Sequence, residues 1–352
     1  MFDRNYQPTA KGKLVADTFF TINEEPPELR DRRLLAGGRI YERHFVKPRI
    51  IGASKDNPLR GMTGNGTTTI IYRGASIEEP ITPDNIVYQY AVGEYANEMG
   101  DVIFMFFEYR PPAPPQMTIS FAAGRFAGLK GRGMWYWTWP DHLEKPPVDQ
   151  PYDSLNAYEM TFEWPDTQAT NTSVNYEDCY YPSYIYDSRL ADRQSLYYCS
   201  EPSHLNVTTK LSGGMMYNRH FVNGKLMPKN PHSPAQGMLS AAHTAICFHG
   251  DSEDQLAVDK LIYQHSAIDF FNDDGDCVLI FGEYAPPVKP MLYVMEGGGK
   301  LAGLKGKGQW YWTWPEGVEK PPVIEGYAYA NAFDFDYILT GDGDPQGQSP
   351  GA

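Results

Sequence analysis

The chain has 352 residues, of which 41% are hydrophobic and 14% aromatic, and its formal net charge is −14 with a pI near 5.0. This composition is sufficient for ordinary hydrophobic cores. The acidic balance argues against binding of nucleic acid or anionic membranes, because basic patches provide the affinity for both.

Targeting and redox signals indicate a cytoplasmic protein. The first 20 residues contain no apolar run typical of a signal peptide, and no stretch has 18 consecutive apolar residues. The four cysteines, Cys179, Cys199, Cys247 and Cys277, show no metal-binding spacing, so buried reduced thiols are expected. A Cys179–Cys199 disulfide would require an oxidising compartment.

Short runs rich in β-branched and aromatic residues, separated by Gly and Pro, recur along the first half of the chain. They predict strands at Thr67–Tyr72, Asn85–Val92, Val102–Tyr109, Met117–Ala122, Met134–Trp139 and Ala157–Trp164. No segment shows a sustained helical period with caps at both ends. We therefore predict an all-β unit, and a closed antiparallel barrel accounts for strands this evenly spaced.

The second half of the chain repeats the first. Ala127–Val148 agrees with Ala302–Val323 at 17 of 22 positions, at a shift of 175 residues. Gly37–Val46 corresponds to Gly213–Val222 at a shift of 176, so a single deletion separates the two registers. A tandem duplication of units of about 170 residues therefore predicts two complete, similar barrels.

The duplication defines the predicted domains. The first barrel occupies residues 1–165 and the second 206–340, with a disordered tail at 341–352. The tyrosine-rich segment 166–205 connects them, and part of it is expected to form the first strand of the second barrel. Further strands of that barrel are predicted at Thr244–Phe248, Leu261–Ala267, Cys277–Tyr284, Met291–Met295, Gln309–Trp314 and Ala332–Leu339.

A glycine-rich connection appears in both copies, as Met117–Trp135 and as Met291–Trp310, the latter reading MLYVMEGGGKLAGLKGKGQW. An apolar strand, a tight glycine turn and a further strand in this order resemble the allene oxide cyclase and dirigent superfamily. That resemblance implies an antiparallel β-barrel of the allene oxide cyclase or calycin-like kind, and it extends over about 50 residues in each unit.

Several polar residues are present in both halves and are candidates for chemistry. They are Tyr41, Arg43, His44, Tyr88, Gln89, Glu108, Tyr109 and Lys130, with Tyr217, Arg219, His220, Tyr263, Gln264, Glu283, Tyr284 and Lys305. Arginine–glutamate pairs could orient a ligand, with Tyr and His as proton donors or acceptors. The same residues could instead form core networks that both copies need in order to fold. Alternation along a strand separates Arg219 from His220 but does not decide which faces the lumen.

Two aromatic stretches contain three tryptophans each at alternating positions, namely Trp135, Trp137 and Trp139, and Trp310, Trp312 and Trp314. If the stretches are strands, each set shares a face. Such a face could line an apolar pocket, or it could form a core or a seam between the barrels.

Differences between the copies point to the second barrel. His243, His265 and His249 stand where the first copy has Thr67, Tyr90 and Arg73. Histidine can accept and donate a proton near pH 7. We therefore predict that His243 and His265 face the lumen near Glu283 and Tyr263 as an acid–base site. A three-histidine metal site is the weaker interpretation, because no fixed spacing holds these residues together.

No nucleotide-binding, phosphate-binding, serine-hydrolase or zinc-protease motif is present. The sequence thus predicts an enzyme without cofactor or metal, an isomerase, cyclase or lyase such as a decarboxylase. Its substrate is expected to be small and apolar, aromatic or terpenoid-like. The candidate catalytic residues are His243, His265, Glu283, Tyr263, Tyr217, Arg219 and His220. A non-catalytic ligand-binding or scaffold protein is the alternative, and the sequence leaves a homodimer open.

Overall fold

The computed structural model describes residues 14–148, 151–164, 189–202, 206–317 and 319–339. They form two compact units, each containing one closed antiparallel barrel of eight strands. The prediction of an all-β chain with two tandem barrels is confirmed.

The first barrel is a single sheet that closes on itself, in the order β1-β9-β8-β7-β6-β5-β4-β3, with β1 pairing to β3. The short strand β2 pairs with β3 outside this ring. The strands are β1 (Leu14–Glu24), β2 (Asp31–Leu35), β3 (Arg39–Ile51), β4 (Thr63–Arg73), β5 (Ile86–Ala96), β6 (Val102–Tyr109), β7 (Gln116–Ala123), β8 (Lys130–Trp135) and β9 (Ser154–Glu163).

The second barrel repeats this order as β10-β18-β17-β16-β15-β14-β13-β12, closed by the β10–β12 pairing, with β11 as the extra strand. Its first strand, β10, lies within the tyrosine-rich segment of the sequence. The strands are β10 (Asp192–Ser200), β11 (Val207–Leu211), β12 (Met215–Met227), β13 (Leu239–His249), β14 (Leu261–Phe271), β15 (Cys277–Tyr284), β16 (Met291–Gly298), β17 (Leu304–Trp310) and β18 (Tyr329–Leu339).

Alternate residues of each strand point into the barrel and away from it. In β14, Gln264, Ser266 and Ile268 line the lumen, while Tyr263 and His265 lie on the opposite face. Both faces of this strand are nevertheless largely buried. Apolar and aromatic residues therefore occupy both faces, and the usual alternation of polar and apolar residues is lost.

The glycine-rich connection joins β7 to β8, and its counterpart joins β16 to β17. Gly124 and Gly128 have φ values of +74° and +79°, and Gly299 and Gly303 have +67° and +83°. Side chains with a Cβ rarely adopt these angles, which explains why both copies have glycine here. Each connection leads into a strand rather than a helix, as the sequence predicted.

The aromatic stretches do not form strands as predicted. Strand β8 ends at Trp135 and β17 ends at Trp310, so the following tryptophans lie in the connections after the strands. The rule that alternate residues share a face therefore does not apply to them. Their actual positions are set by hydrogen bonds at one end of each barrel.

Two further predictions concern the cysteines and the segments that connect or follow the barrels. Most of the connecting segment, including Cys179, and the whole C-terminal tail at 341–352 lie outside the described residues. Cys199, Cys247 and Cys277 are free and buried. No helix in the described part of the chain is long and apolar enough to cross a bilayer.

Candidate active site and the two cavities

Each barrel lumen contains a cavity above a packed apolar core. The cavity of the second barrel has a volume of about 350 Å³ and that of the first about 390 Å³. Both volumes suit one small molecule. Phe270 and Phe333 line the second cavity and also belong to its packed core, so they form the floor. Tyr95 and Tyr158 form the floor of the first cavity in the same way.

A histidine–glutamate pair lines the second cavity and reaches solvent at its mouth. Nδ1 of His220, on β12, lies 2.9 Å from Oε2 of Glu201, the residue directly after β10. The Tyr329 hydroxyl, at the start of β18, donates to Oε1 of Glu201 at 2.5 Å. Three segments of the barrel thus converge on one carboxylate, which is the usual way to fix the tautomer of a catalytic imidazole.

The charges at this mouth follow from these contacts. The hydrogen bond from His220 lowers the pKa of Glu201 despite its partial burial, and the bond from Tyr329 adds to this. Burial raises the pKa of Tyr329, which stays a neutral donor. An ionised Glu201 accepts the Nδ1 proton of His220 and leaves Nε2 as the basic nitrogen. Nε2 is buried and has no hydrogen-bond partner among the described residues.

The first barrel has the same pair at its mouth. Nδ1 of His44 lies 3.1 Å from Oε2 of Glu25, and the Ser154 hydroxyl donates to Oε1 of Glu25 at 2.6 Å. His44 and Glu25 are 14% and 27% exposed, against 13% and 25% for His220 and Glu201. The two mouth dyads, His44–Glu25 and His220–Glu201, are therefore duplicates, with serine replacing tyrosine as the third member.

The second nitrogen of the imidazole distinguishes the dyads. Nε2 of His44 lies 2.7 Å from Oε1 of Glu42, a fully buried carboxylate that also pairs with Arg30 and Arg32. Burial alone would raise the pKa of Glu42, but His44 and Arg30 outweigh it and lower the pKa to about 2. Burial alone would lower the pKa of His44, but its contacts with Glu25 and Glu42 outweigh burial and raise that pKa.

The second barrel lacks this carboxylate. Asn218 stands at the position of Glu42, and its amide nitrogen donates to Glu253 at 2.9 Å. Asn206 and Thr208 replace the two arginines. His220 is therefore held by one carboxylate and His44 by two, which is the clearest chemical difference between the two mouths.

A tryptophan–glutamine hydrogen bond completes each mouth. Nε1 of Trp312 donates to Oε1 of Gln264 at 2.8 Å, and Trp137 makes the same bond to Gln89 at 2.8 Å. Trp135, Trp137, Trp310 and Trp312 line the cavities of their own barrels. Trp139 instead donates to the Leu143 carbonyl and stacks on Phe20.

Of the seven candidate catalytic residues, only His220 lines the cavity. The other six lie on the opposite face of the sheet, and all are buried; they are Tyr217, Arg219, His243, Tyr263, His265 and Glu283. The expectation that His243 and His265 face the lumen is therefore wrong. The third histidine of that set, His249, is exposed at the end of β13. The reason for the error is that both faces of β13 and β14 are buried, so apolarity does not mark the lumen.

The structure does bring four of these six together. The Tyr263 hydroxyl donates to Glu283 at 2.8 Å, and the His265 ring lies 6.1 Å from that of Tyr263 and 6.4 Å from that of His243. Burial raises the pKa of Glu283 to about 8, only partly opposed by Tyr263. Arg219 packs over Phe221 in the same sheet. This buried polar cluster is separate from the cavity.

Sequence reasoning missed Glu201 and Tyr329. The shift of 176 that aligns His44 with His220 also places Glu25-Pro26 on Glu201-Pro202, so the acidic partner was visible in the duplication. Tyr329 could not be found in this way, because its counterpart in the first copy is Ser154.

Comparisons of the chain with protein-family models, curated proteins and solved structures find no match. The resemblance to allene oxide cyclase barrels thus stays a prediction. No group of three or more His, Cys, Asp or Glu within the described ranges is placed to hold a metal ion.

Proposed function

We propose that the second barrel is the active site of a cofactor-independent enzyme that acts on one small, largely apolar molecule by acid–base catalysis. The reaction class is an isomerisation or cyclisation, or a lyase step such as decarboxylation. The observation that carries this proposal is the His220–Glu201 pair at 2.9 Å, which lines a largely apolar cavity of about 350 Å³.

In the proposed reaction, Nε2 of His220 takes a proton from the bound substrate. The electron pair of the broken C–H or O–H bond moves into the substrate's own π-system. Glu201 stabilises the imidazolium that forms, because its pKa is lowered and it stays ionised. His220 then returns the proton to another atom of the substrate, so no external oxidant or reductant is needed.

Other mouth residues supply positioning. Gln264 is fixed by its bond from Trp312, and its amide nitrogen lies 3.4 Å from the Ser266 hydroxyl. Tyr329 stays protonated and holds Glu201 in place. The apolar wall formed by Ile268 and Ile280 would exclude water from a bound hydrocarbon body.

Binding without catalysis is the second candidate function. The mouth dyad occurs in both barrels, as expected if it is a hydrogen bond that the fold itself requires. A cytoplasmic location and a small-molecule partner remain proposals in either case.

Proton exchange on a surrogate ligand separates the two functions. 1-Tetralone is an apolar ketone small enough for the cavity, and exchange of its C2 protons in D2O can be followed by NMR. We expect the protein to accelerate this exchange, and His220→Gln to lower the catalysed rate by roughly 10²–10⁴-fold, as for other acid–base groups.

His44→Gln is the matched control and should leave the catalysed rate unchanged. Binding of 1-tetralone should survive His220→Gln, which distinguishes loss of chemistry from loss of the cavity. Bound 1-tetralone that exchanges no faster than in buffer would favour the non-catalytic function.

A further inference from the structure

The cavity of the first barrel differs from that of the second at its floor. Tyr95 and Tyr158 occupy the positions of Phe270 and Phe333, at the shift of 175 residues. All four line their cavities. At these two positions the first cavity therefore carries phenol hydroxyls where the second has hydrocarbon rings. The second cavity is also lined by Tyr197, but the hydroxyl of that residue is paired with the Ser240 hydroxyl at 2.6 Å.

The Tyr158 hydroxyl has a proton left to donate. Its oxygen accepts a hydrogen bond from the Thr21 hydroxyl at 3.3 Å and a longer one from the Asn156 amide at 3.5 Å. Both contacts use lone pairs of the oxygen, so the phenolic hydrogen is not consumed by them. Burial raises the pKa of Tyr158 and of Tyr95, so both stay protonated and neutral.

The first cavity is also widened next to this floor. Gly93 stands where the second barrel has Ile268, and both line the lumen. A Cβ at Gly93 would lie 3.5 Å from the Asn65 carbonyl oxygen, 3.7 Å from the Phe107 ring and 3.8 Å from the Tyr95 ring, all ordinary contacts. Packing therefore does not demand glycine here, and its absent side chain leaves space beside Tyr95.

The mouth of the first cavity is unsuited to the chemistry proposed for the second. Both ring nitrogens of His44 lie against carboxylates, with Nδ1 at 3.1 Å from Glu25 and Nε2 at 2.7 Å from Glu42. Neither nitrogen is available to take a proton from a ligand. The first barrel thus keeps a cavity and a polar floor without the basic nitrogen.

From these observations we infer that the first barrel is a second, non-catalytic ligand site for a small apolar molecule with a hydrogen-bond-accepting oxygen at the end that reaches the floor. A ketone, an ester or an ether on an aromatic body has this chemistry. Tyr158 donates to the oxygen, and the walls formed by Phe107 and Trp135 contact the apolar body.

A pair of nearly isosteric probes tests the floor. 2-Acetylnaphthalene carries the acceptor oxygen, and 2-ethylnaphthalene does not. Binding of each to the full chain is measured by isothermal titration calorimetry. Tyr158→Phe should weaken binding of the ketone to this site roughly 3–10-fold, the loss typical of one hydrogen bond, and leave the hydrocarbon unchanged within about twofold.

Filling the cavity identifies the barrel. Gly93→Ile introduces the residue of the second barrel and should abolish one class of ketone sites, with unchanged far-UV circular dichroism. The activity proposed for His220 should persist in this variant, so failure of either proposal is distinguishable. If Gly93→Ile does not fold, the Tyr158→Phe comparison alone decides. Three outcomes would overturn the inference. They are an equal weakening of the binding of both probes by Tyr158→Phe, an unchanged number of ketone sites in folded Gly93→Ile, and an absence of ketone binding to the first barrel.

Discussion

Nε2 of His44 lies 2.7 Å from Oε1 of Glu42, whereas its duplicate His220 stands two residues after Asn218. Asparagine in place of Glu42 therefore removes one of the two carboxylates that face this imidazole. In the first barrel the ring is held between two carboxylates. In the second barrel, the described residues place a carboxylate against Nδ1 of His220 only.

The first prediction concerns the pKa of His44. Glu42→Asn copies the second barrel and removes one of the two carboxylates that raise this pKa. The His44 pKa should fall by about one unit or more, because an adjacent opposite charge favours the charged form. Imidazole NMR signals followed across pH 5–9 measure it. Asn218→Glu is the reciprocal variant, and it should bring a second carboxylate to the His220 ring.

The direction of the His44 pKa shift determines how the contribution of this residue to folding stability changes with pH. A histidine whose folded pKa is raised contributes stability that is fully present below its unfolded value. That stability is lost as the pH rises through the folded pKa. Glu42→Asn should therefore flatten the part of the pH–stability curve above about pH 6.5, the unfolded value. An unchanged His44 titration would show that Glu42 does not act on the ring.

The fold was largely predictable because each half repeats the same strand signals. Val102–Tyr109 is predicted and observed with identical bounds. The tryptophan stretches were mispredicted because their β-forming residues follow the strand end at Trp135, where hydrogen bonds to Gln89 and the Leu143 carbonyl set the path. Such long-range partners are not encoded in local periodicity.

The site was predicted only in part. His220 was among the candidates, but alternation could not show that it faces the lumen while Arg219 does not. Strand β12 is buried on both faces over much of its length, so neither face is marked by polarity. The difference between copies makes His243 a candidate, yet such a difference reflects any local specialisation and not only catalysis.

The second prediction concerns Glu283. Burial raises its pKa to about 8, so the folded protein keeps a proton that the unfolded chain releases near pH 4.5. Stability from this group is fully present below about pH 4.5 and is lost as the pH rises through 8. A shift of this size corresponds to roughly 3–5 kcal/mol, as an upper range. Urea unfolding of the wild type at pH 5–9 should show this decline.

Glu283→Gln should remove that dependence, because the neutral amide does not titrate. Glu108→Gln in the first barrel is the control, since Glu108 is 17% exposed and lies 3.9 Å from Arg110. The Glu108→Gln variant should keep the decline of unfolding free energy with rising pH. Parallel curves for the wild type and Glu283→Gln would contradict a raised pKa at this carboxyl.

The third prediction concerns the glycine-rich connection. Gly124 has φ +74°, and a Cβ there would meet Oδ1 of Asp101 at 2.5 Å, an atom that accepts from the Arg125 backbone at 2.8 Å. Gly124→Ala should therefore cost both backbone strain and that hydrogen bond, roughly 2–4 kcal/mol in total. Chemical denaturation with a fixed m-value measures the loss.

Gly37→Ala supplies the matched control. Gly37 has φ +77°, but a Cβ there would meet nothing within 4 Å. This variant should lose only the free energy that backbone strain costs, about 1–2 kcal/mol. Equal losses in both variants would mean that Asp101 adjusts without cost.

The last prediction maps the second cavity through its thiols. Burial raises the pKa of Cys199 and raises that of Cys247 to about 12. Relative to an ordinary value of 9.0, the Cys247 thiolate at neutral pH is then depleted by roughly 1,000-fold, because each pKa unit is a factor of ten. Both should react with iodoacetamide at least about 100-fold more slowly than an exposed cysteine.

Of the cysteines in the described ranges, only Cys199 lines the cavity, whereas Cys247 lies on the opposite face of its sheet. A ligand in the second barrel, such as 1-tetralone, should therefore slow alkylation of Cys199 and leave Cys247 unaffected. Peptide mass spectrometry in a Cys179→Ser background measures both sites in one sample. Equal protection of both thiols would indicate that the ligand stabilises the fold as a whole rather than occupying the cavity next to His220 and Glu201.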